Sequence, residues 1–222
     1  MQNNKPTVFS KAFKFILLIA VGILIAVLFH LAGVSKWITI IVVLALYIVI
    51  TIVQPMYTIY LSRSLKALNR YVVSNYKKPI FGYSYALAHG DKEDIEKALK
   101  RIMDTYPQQD MRDVYGANLA IFKRDSSALL THANNIVGQE YKDYYSGHAY
   151  VMTGNFDKAS EFLAKLQTPW MIRSLKAYTA LKQGNKDIYA DEMNRAIHNS
   201  MGMQRYVLHH TMKRYENGDF KA

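Results

Sequence analysis

The sequence predicts an all-α protein in which a membrane-spanning helical hairpin precedes a domain of about four helix pairs and a capping helix. Two apolar runs lie near the N-terminus with only two residues between them. Through the rest of the chain, short turn-forming dipeptides recur at regular intervals. Between the dipeptides, apolar residues recur at spacings of three and four, which is the period of one helix face. We therefore expect helices throughout and no strands.

The first apolar run, residues 15–34, contains one polar residue, His30, near its end. Twenty helical residues span about 30 Å, the thickness of the hydrocarbon layer. The second run, residues 37–53, is near the lower limit for a span, and residues 56–61 lengthen it beyond a kink at Pro55. Together they predict a tight transmembrane hairpin over residues 15–61. A cleaved signal peptide and a buried hairpin of a soluble protein are the alternatives.

Positive charge is concentrated around this hairpin. Residues 1–78 contain nine of the 28 basic residues and no acidic residue, because the first carboxylate is Asp91. Basic residues precede the first run and follow the second, so the positive-inside rule predicts that both termini and the distal domain are cytoplasmic. The distal part keeps 19 basic and 17 acidic residues, which argues against a nucleic-acid-binding face. The lack of cysteine excludes disulfides, thiolate zinc sites and cysteine nucleophiles.

Residues 1–14 are expected to form an N-terminal tail before the hairpin. Between the hairpin and the distal domain, the sequence predicts a basic juxtamembrane helix over residues 62–79. Its cations would lie beside the anionic headgroups of the inner leaflet, where each contributes about 1 kcal/mol. We expect this basic collar to contact anionic membrane lipids, either as a plain anchor or by recognising one lipid. The collar consists of Arg63, Lys66, Arg70, Lys77 and Lys78.

Five dipeptides mark a helical-repeat domain over residues 80–222. They are Gly90-Asp91, Arg124-Asp125, Gly154-Asn155, Gly184-Asn185 and Gly218-Asp219, at intervals of 34, 30, 30 and 34 residues. Glycine adopts the left-handed conformation that ends a helix, and the Asp or Asn after it accepts the free N–H groups that begin the next helix. Each dipeptide therefore predicts a turn between helices, and the helix before the last dipeptide is the cap.

The third unit resembles a tetratricopeptide repeat. Small, aromatic and turn residues stand where that repeat needs them, in Gly147-His148-Ala149-Tyr150, in Gly154-Asn155-Phe156, at Ala159 and at Leu163. The other units match less well, since Arg124 replaces a turn glycine and Tyr189 replaces a small residue. The resemblance implies stacked antiparallel helix pairs that form an α-solenoid. A generic α-helical bundle is the alternative.

The resemblance also implies a concave groove lined by the first helix of each pair. The groove-facing positions, six residues before each turn, are Ser84, Asn118, His148, Tyr178 and Met212. This mixed polar and aromatic row suits an extended peptide or a partner's helix, and the alternative is that these residues only pack or meet water. The carboxylate-gripping members of the family need Lys and Asn at matching positions. Only Asn118 is present, so recognition of an acidic C-terminus is not expected.

The chain shows no motif typical of an enzyme. It has no phosphate-binding Gly-x-x-x-x-Gly-Lys loop, no Gly-x-Ser-x-Gly elbow and no His-Glu-x-x-His helix. His209 and His210 are neighbours on a predicted helix and point about 100° apart, so they do not converge on a metal. The Tyr-rich segment 141–150 is interpreted as interhelical packing. We therefore expect no catalysis, no metal and no cofactor.

The overall layout is similar to that of small bacterial membrane proteins with tetratricopeptide-like domains that assist envelope assembly or lipoteichoic-acid retention. We accordingly expect a membrane-anchored cytoplasmic adaptor or scaffold whose repeat groove binds protein partners, above all membrane or envelope-assembly proteins, and no nucleic acid. The alternative is a lipid- or envelope-polymer-handling protein whose hairpin and basic collar contact the substrate directly.

Overall fold

The computed structural model describes residues 8–219, with side chains at Phe13 and from Phe15 onward. All its regular elements are helical, so the expected all-α class is confirmed for the described residues. The first seven residues of the predicted N-terminal tail and the last three of the repeat domain lie outside them. The chain divides into two compact units, with the boundary between Ser62 and Arg63.

The N-terminal unit consists of apolar helices. Helix α1 spans Val8–Leu31 and already includes the second half of the predicted tail, and α2 spans Lys36–Ile48. A π-helical turn, Val49–Val53, joins α2 to α3, Gln54–Tyr60. This wider turn directly precedes Pro55, whose missing N–H removes a bond to the preceding turn. Helices α1 and α2 are in contact, and a Cβ on Gly22 would lie 3.5 Å from Val43 Cγ1.

One helical stretch of this unit is long and apolar enough to cross a membrane. It runs from Lys36 to Tyr60, has 25 residues and a mean hydropathy of 2.6, and has no buried residue. The other apolar helix, Phe15–Leu31, is shorter. Among the described residues, one helix therefore has the length and composition of a membrane span.

The C-terminal unit begins with α4, Leu65–Asn75, which Ser64 caps by accepting a hydrogen bond from the Ala67 N–H. Nine further helices follow among the described residues. They are α5 Pro79–His89, α6 Lys92–Thr105, α7 Gln109–Lys123, α8 Ser126–Asn135, α9 Gln139–Met152, α10 Phe156–Leu163, α11 Pro169–Lys182, α12 Lys186–Asn199 and α13 Gly202–Glu216. Each helix contacts the next, and α9 also contacts both α7 and α11, so these three helices are neighbours.

The first four predicted turns lie between helices, and the fifth follows α13. In each of the first four dipeptides, the second residue caps the following helix by accepting a backbone N–H at 2.9–3.3 Å; the caps are Asp91, Asp125, Asn155 and Asn185. Left-handed backbone occurs at Arg124, Gly154, Gly184 and Gly218, with φ from 61° to 77°. Gly90 differs, because its φ of −88° is open to any residue.

The close approach of three helices depends on a small residue at Gly147. A Cβ on Gly147 would lie 2.7 Å from Leu175 Cδ2 and 3.4 Å from Phe162 Cβ. Since real Cβ atoms do not approach so closely, only glycine allows α9 to pack against α10 and α11 in this way. The largest hydrophobic core lies here, between α7 and α11.

The last helix also reaches the first helices of the unit, because α13 contacts α4 and α5 as well as α12. Tyr206 is fully buried against Leu68 and Val72, and its hydroxyl donates to Asn69 Oδ1 at 2.8 Å. Arg214 donates from Nε to the Leu87 carbonyl at 2.8 Å and from Nη2 to the carbonyls of Ala86 and Gly90. The last helix therefore packs on α12 and also closes the array against α4 and α5, a closure that the sequence does not predict.

Candidate binding cavity

Residues of α5, α6, α7, α9, α11, α12 and α13 line a cavity of about 920 Å³. Four of the five predicted groove residues line it, namely Ser84 from α5, Asn118 from α7, His148 from α9 and Tyr178 from α11. Met212 does not line it, and its side chain is buried in a cluster with residues of α11 and α12. The structure therefore gathers most of the predicted row in one place.

The residues four positions before the predicted row share its helix faces and also line the cavity. They are Ile80, Val114, Tyr144, Ser174 and Leu208. Positions i and i+4 are neighbours on a helix surface, so this second row follows from the first by simple helix geometry. The sequence alone does not indicate this second row, since Tyr144 lies in a Tyr-rich segment typical of interhelical packing.

Part of the cavity wall is a continuous run of aromatic rings. The Trp170 and Tyr144 ring centroids lie 5.4 Å apart, Tyr144 meets His148 edge-on at 4.6 Å, and His148 stacks on Tyr178 at 5.0 Å with an interplanar angle of 28°. Such offset and edge-to-face pairs stabilise each other beyond the area they bury. The wall is thus a rigid surface on which an apolar or planar group can rest.

Internal hydrogen bonds satisfy several polar groups of this wall. The hydroxyls of Tyr144 and Ser174 lie 2.8 Å apart, and Asn118 Nδ2 donates to the Tyr145 hydroxyl at 2.9 Å and to the Val114 carbonyl at 2.8 Å. Burial raises the pKa of Tyr144 to about 12, with a smaller opposing effect from Ser174. These hydroxyls therefore remain protonated.

Two other groups of the wall have no hydrogen-bond partner among the described residues. They are both ring nitrogens of His148 and the hydroxyl of Tyr189, and these side chains are 7% and 5% exposed. Burial lowers the pKa of His148 to about 3, so its imidazole is uncharged at neutral pH. The ring centroids of Tyr189 and Tyr215 lie 5.8 Å apart. Burial raises the pKa of Tyr189 well above its usual range. Buried polar groups without partners are uncommon in proteins.

Charged residues occur at the cavity rim. Lys92, Glu93, Asp110, Lys123 and Arg124 are exposed. Glu96 accepts hydrogen bonds from Lys100 and Lys123 at 2.8 Å each, and these bonds lower its pKa to about 2. Burial raises the pKa of Tyr178 and of Tyr215, and the positive charge of Arg124 opposes this effect in part. The mixed rim therefore borders an uncharged interior.

The predicted basic collar lies on and beside α4. All five of its side chains are exposed, and none forms an ion pair with a residue that the structure describes. Leu68 and Val72 on the buried face of α4 fix which side of the helix is exposed. The collar is thus a cation-rich surface of the C-terminal unit.

No group of three or more potential metal ligands occurs in the described part of the chain. The rings of His209 and His210 lie 5.1 Å apart at 81° to each other. A buried carboxylate outside the cavity lining, Asp113, contacts His132 Nδ1 at 2.9 Å and accepts from Gln109 at 2.7 Å. This pair joins α7 to α8, and the spacing of the two residues in the sequence gives no sign of it.

Comparison of the chain with models of protein families, with curated proteins and with solved structures finds no match. The resemblance to the tetratricopeptide repeat therefore stays a prediction.

Proposed function

We propose that this protein is a membrane-anchored adaptor whose cavity receives a short segment of a protein partner. The observation that carries the proposal is the cavity itself, which has the size of typical ligand sites and an aromatic lining with a few polar groups. Because α13 closes the array against α4 and α5, the partner inserts a chain end or a loop, not the long extended peptide that an open groove would hold.

The anchor is proposed to be a two-span hairpin with both termini in the cytoplasm. The apolar stretch Lys36–Tyr60 supports one span, and the shorter helix Phe15–Leu31, in contact with it through α2, supports the second. The basic residues on both flanks support the orientation. A domain held at the membrane meets membrane-embedded clients at a high effective concentration, which favours partners from envelope assembly.

Site-specific photocrosslinking in cells tests the adaptor function. A photoreactive residue at Gln204, which lines the cavity, should crosslink one set of proteins, and the same residue at Val137, which is 86% exposed and outside the lining, should not. The crosslinks from Gln204 should disappear when His148→Ala and Tyr178→Ala are combined. Identical crosslinks from both positions, or crosslinks that survive the double substitution, would exclude the cavity as the binding site.

The exposed basic collar favours a second function, in which the hairpin and the collar together contact an anionic lipid or envelope polymer directly. Replacing Lys66 and Arg70 by Glu should then abolish contact with the lipid or polymer even though the anchor is retained. Replacing the exposed Lys176 and Lys186 by Glu should leave that contact unchanged. Exchange of residues 15–61 for an unrelated two-span anchor separates the two proposals. The adaptor function should survive this exchange, whereas a function in which the hairpin contacts lipid should be lost.

A further inference from the structure

Three histidines lie at the seam, the contact by which α13 closes the array against α4 and α5. His89 is the last residue of α5, and its Nε2 lies 3.3 Å from Asn69 Oδ1, the atom to which the Tyr206 hydroxyl also donates. The ring of His210 packs on that of Tyr206 with centroids 4.3 Å apart, and the ring of His209 lies 5.1 Å from that of His210. The histidines are therefore part of the closing contact itself.

The charges that act on these imidazoles are mostly positive. Three come from basic residues of α13, namely Arg205, Lys213 and Arg214. Arg214 acts on both His89 and His210, and its own carboxylate partner is Asp219, at 3.1 Å. Glu216 opposes the cations at His209. A proton taken up by these histidines therefore adds a cation to a group of cations.

The helices packed on α13 present few other titratable groups to the seam. α4 faces it with uncharged side chains, namely Leu68, Asn69 and Val72. α5 contributes Tyr85 beside His89, and α12 contributes Tyr189 and the His198 carbonyl, which accepts from Arg205. Tyrosine hydroxyls stay uncharged at neutral and acidic pH. Among the residues that the structure describes, the three histidines are thus the groups of the seam whose charge changes between pH 7 and pH 5.

The closed seam disfavours the charged form of each histidine. Burial, and then the neighbouring histidines, Lys213 and Arg214, lower the pKa of His210 to about 3. Burial also lowers the pKa of His89 and of His209, and positive neighbours add to the effect. A histidine in water has a pKa of about 6.5. At pH 5, His210 is therefore uncharged while the seam is closed and becomes charged when the seam opens.

We propose that the seam is an acid-sensitive latch, in which protonation of His89, His209 and His210 releases α13 from α4 and α5 and opens the cavity. α13 supplies Gln204 and Val207 to the cavity lining, so its release removes one wall. Arg214 contributes twice, because the guanidinium that bonds α5 also makes a second cation beside it unfavourable. The latch does not depend on what the cavity binds.

The direction of the pH effect follows from proton binding. The open seam binds more protons than the closed one below about pH 6.5, so the equilibrium constant for opening rises as the pH falls. For a group whose pKa is about 3 when closed and about 6.5 when open, this constant rises about twentyfold from pH 7 to pH 5. His89 and His209 increase the factor further.

Hydrogen exchange of the full chain in detergent micelles measures the opening at pH 7 and pH 5. Each measured rate is divided by the intrinsic rate at the same pH, which removes the pH dependence of the exchange chemistry. Protection of α4 and α13 should fall about twentyfold or more on acidification. In His210→Gln most of this fall should disappear, and the added changes His89→Gln and His209→Gln should remove the rest.

Two other histidines provide the controls. His198→Gln, at an exposed position of α12, and His148→Gln, in α9, should both show the full fall in α4 and α13. Each variant is compared with itself at the two pH values, so a general loss of stability does not imitate the result. If glutamine disturbs the packing, His210→Phe keeps a ring against Tyr206 and should also lose most of the fall.

Three results would refute the latch. They are no fall in the parent protein, an equal fall in the parent and in both His210 variants, and a fall that disappears in His148→Gln. The crosslinks from Gln204 at neutral pH test the adaptor function separately, so either proposal can fail without the other.

Discussion

His148 is kept uncharged by its burial, and its titration should therefore couple stability to pH. Its pKa is about 3 in the folded protein and about 6.5 in an unfolded chain. Between these values the unfolded state binds more protons, so the free energy of unfolding falls as the pH falls. From pH 7 to pH 5 this histidine alone should reduce the free energy of unfolding by about 2 kcal/mol.

Chemical denaturation of the full chain at pH 7 and pH 5 checks this expectation. His148→Gln should lose about 2 kcal/mol less than the parent protein over that interval, while His198→Gln, at an exposed position, should follow the parent. Equal pH dependence in all three proteins would mean that His148 titrates normally in the folded state.

Gly116, like Gly147, lies where an added Cβ would overlap a neighbouring side chain. A Cβ there would overlap the imidazole of His132, which Asp113 holds at 2.9 Å. Gly116→Ala should therefore separate His132 from the buried Asp113 carboxylate and lower the free energy of unfolding by about 1–3 kcal/mol. Gly138→Ala is the matched control, because its Cβ would meet only Tyr141 at an ordinary 3.6 Å. A loss of similar size in both variants would contradict this reason.

At the scale of the element, the turn between α7 and α8 has a strained residue. Arg124 has a φ of 61°, a conformation in which a Cβ is unfavourable by about 1 kcal/mol or more. Arg124→Gly should therefore be about 1 kcal/mol more stable than Arg124→Ala, since both remove the guanidinium and differ only in the Cβ.

The reverse change at another turn provides the control. Gly154→Ala should lose about 1 kcal/mol, because its φ is 76° and its Cβ would meet nothing within 4 Å. Thermal denaturation of the four proteins gives the comparison. If Arg124→Ala equals Arg124→Gly, the backbone at this turn is not strained. Arg124 also lies at the cavity rim, and strain of this kind often persists where the side chain has a role.

The helix caps could be predicted from the sequence, and the contacts between distant helices could not. Capping is local chemistry, and Asp91, Asp125, Asn155 and Asn185 cap the helices that their dipeptides predict. The groove row follows from the same register, and four of its members line the cavity. The contact between Asn69 and Tyr206 joins residues 137 positions apart and has no local signature. Because long-range contacts of this kind leave no local pattern, neither the closure of the array by α13 nor the absence of Met212 from the cavity lining could be predicted from the sequence.

At the scale of the C-terminal unit, Arg214 holds the closed array together. Its guanidinium donates to three carbonyls of α5 and its C-cap, and the side chain is only 11% exposed. Arg214→Met should remove these charge-assisted bonds and weaken closure by about 2–4 kcal/mol. Hydrogen exchange should then become faster in α4 and α13, while α7–α10 keep their protection.

Lys213→Met, one residue earlier and exposed, is the control for a general effect on α13. Uniformly faster exchange through α5–α13 would indicate global destabilisation, and unchanged exchange in α4 would show that Arg214 does not maintain the closure.

Closure by the last helix also has a consequence during synthesis. On the ribosome the chain emerges from its N-terminus, so α4 and α5 are available long before α13, which supplies Tyr206 and Arg214. Until α13 emerges, Leu68 and Val72 lack the ring that covers them, and the cavity lacks one wall. The cavity is therefore complete only after the last helix has been synthesised. A chain cut short before residue 202 would expose apolar surface, which is the kind of surface that chaperones and proteases recognise.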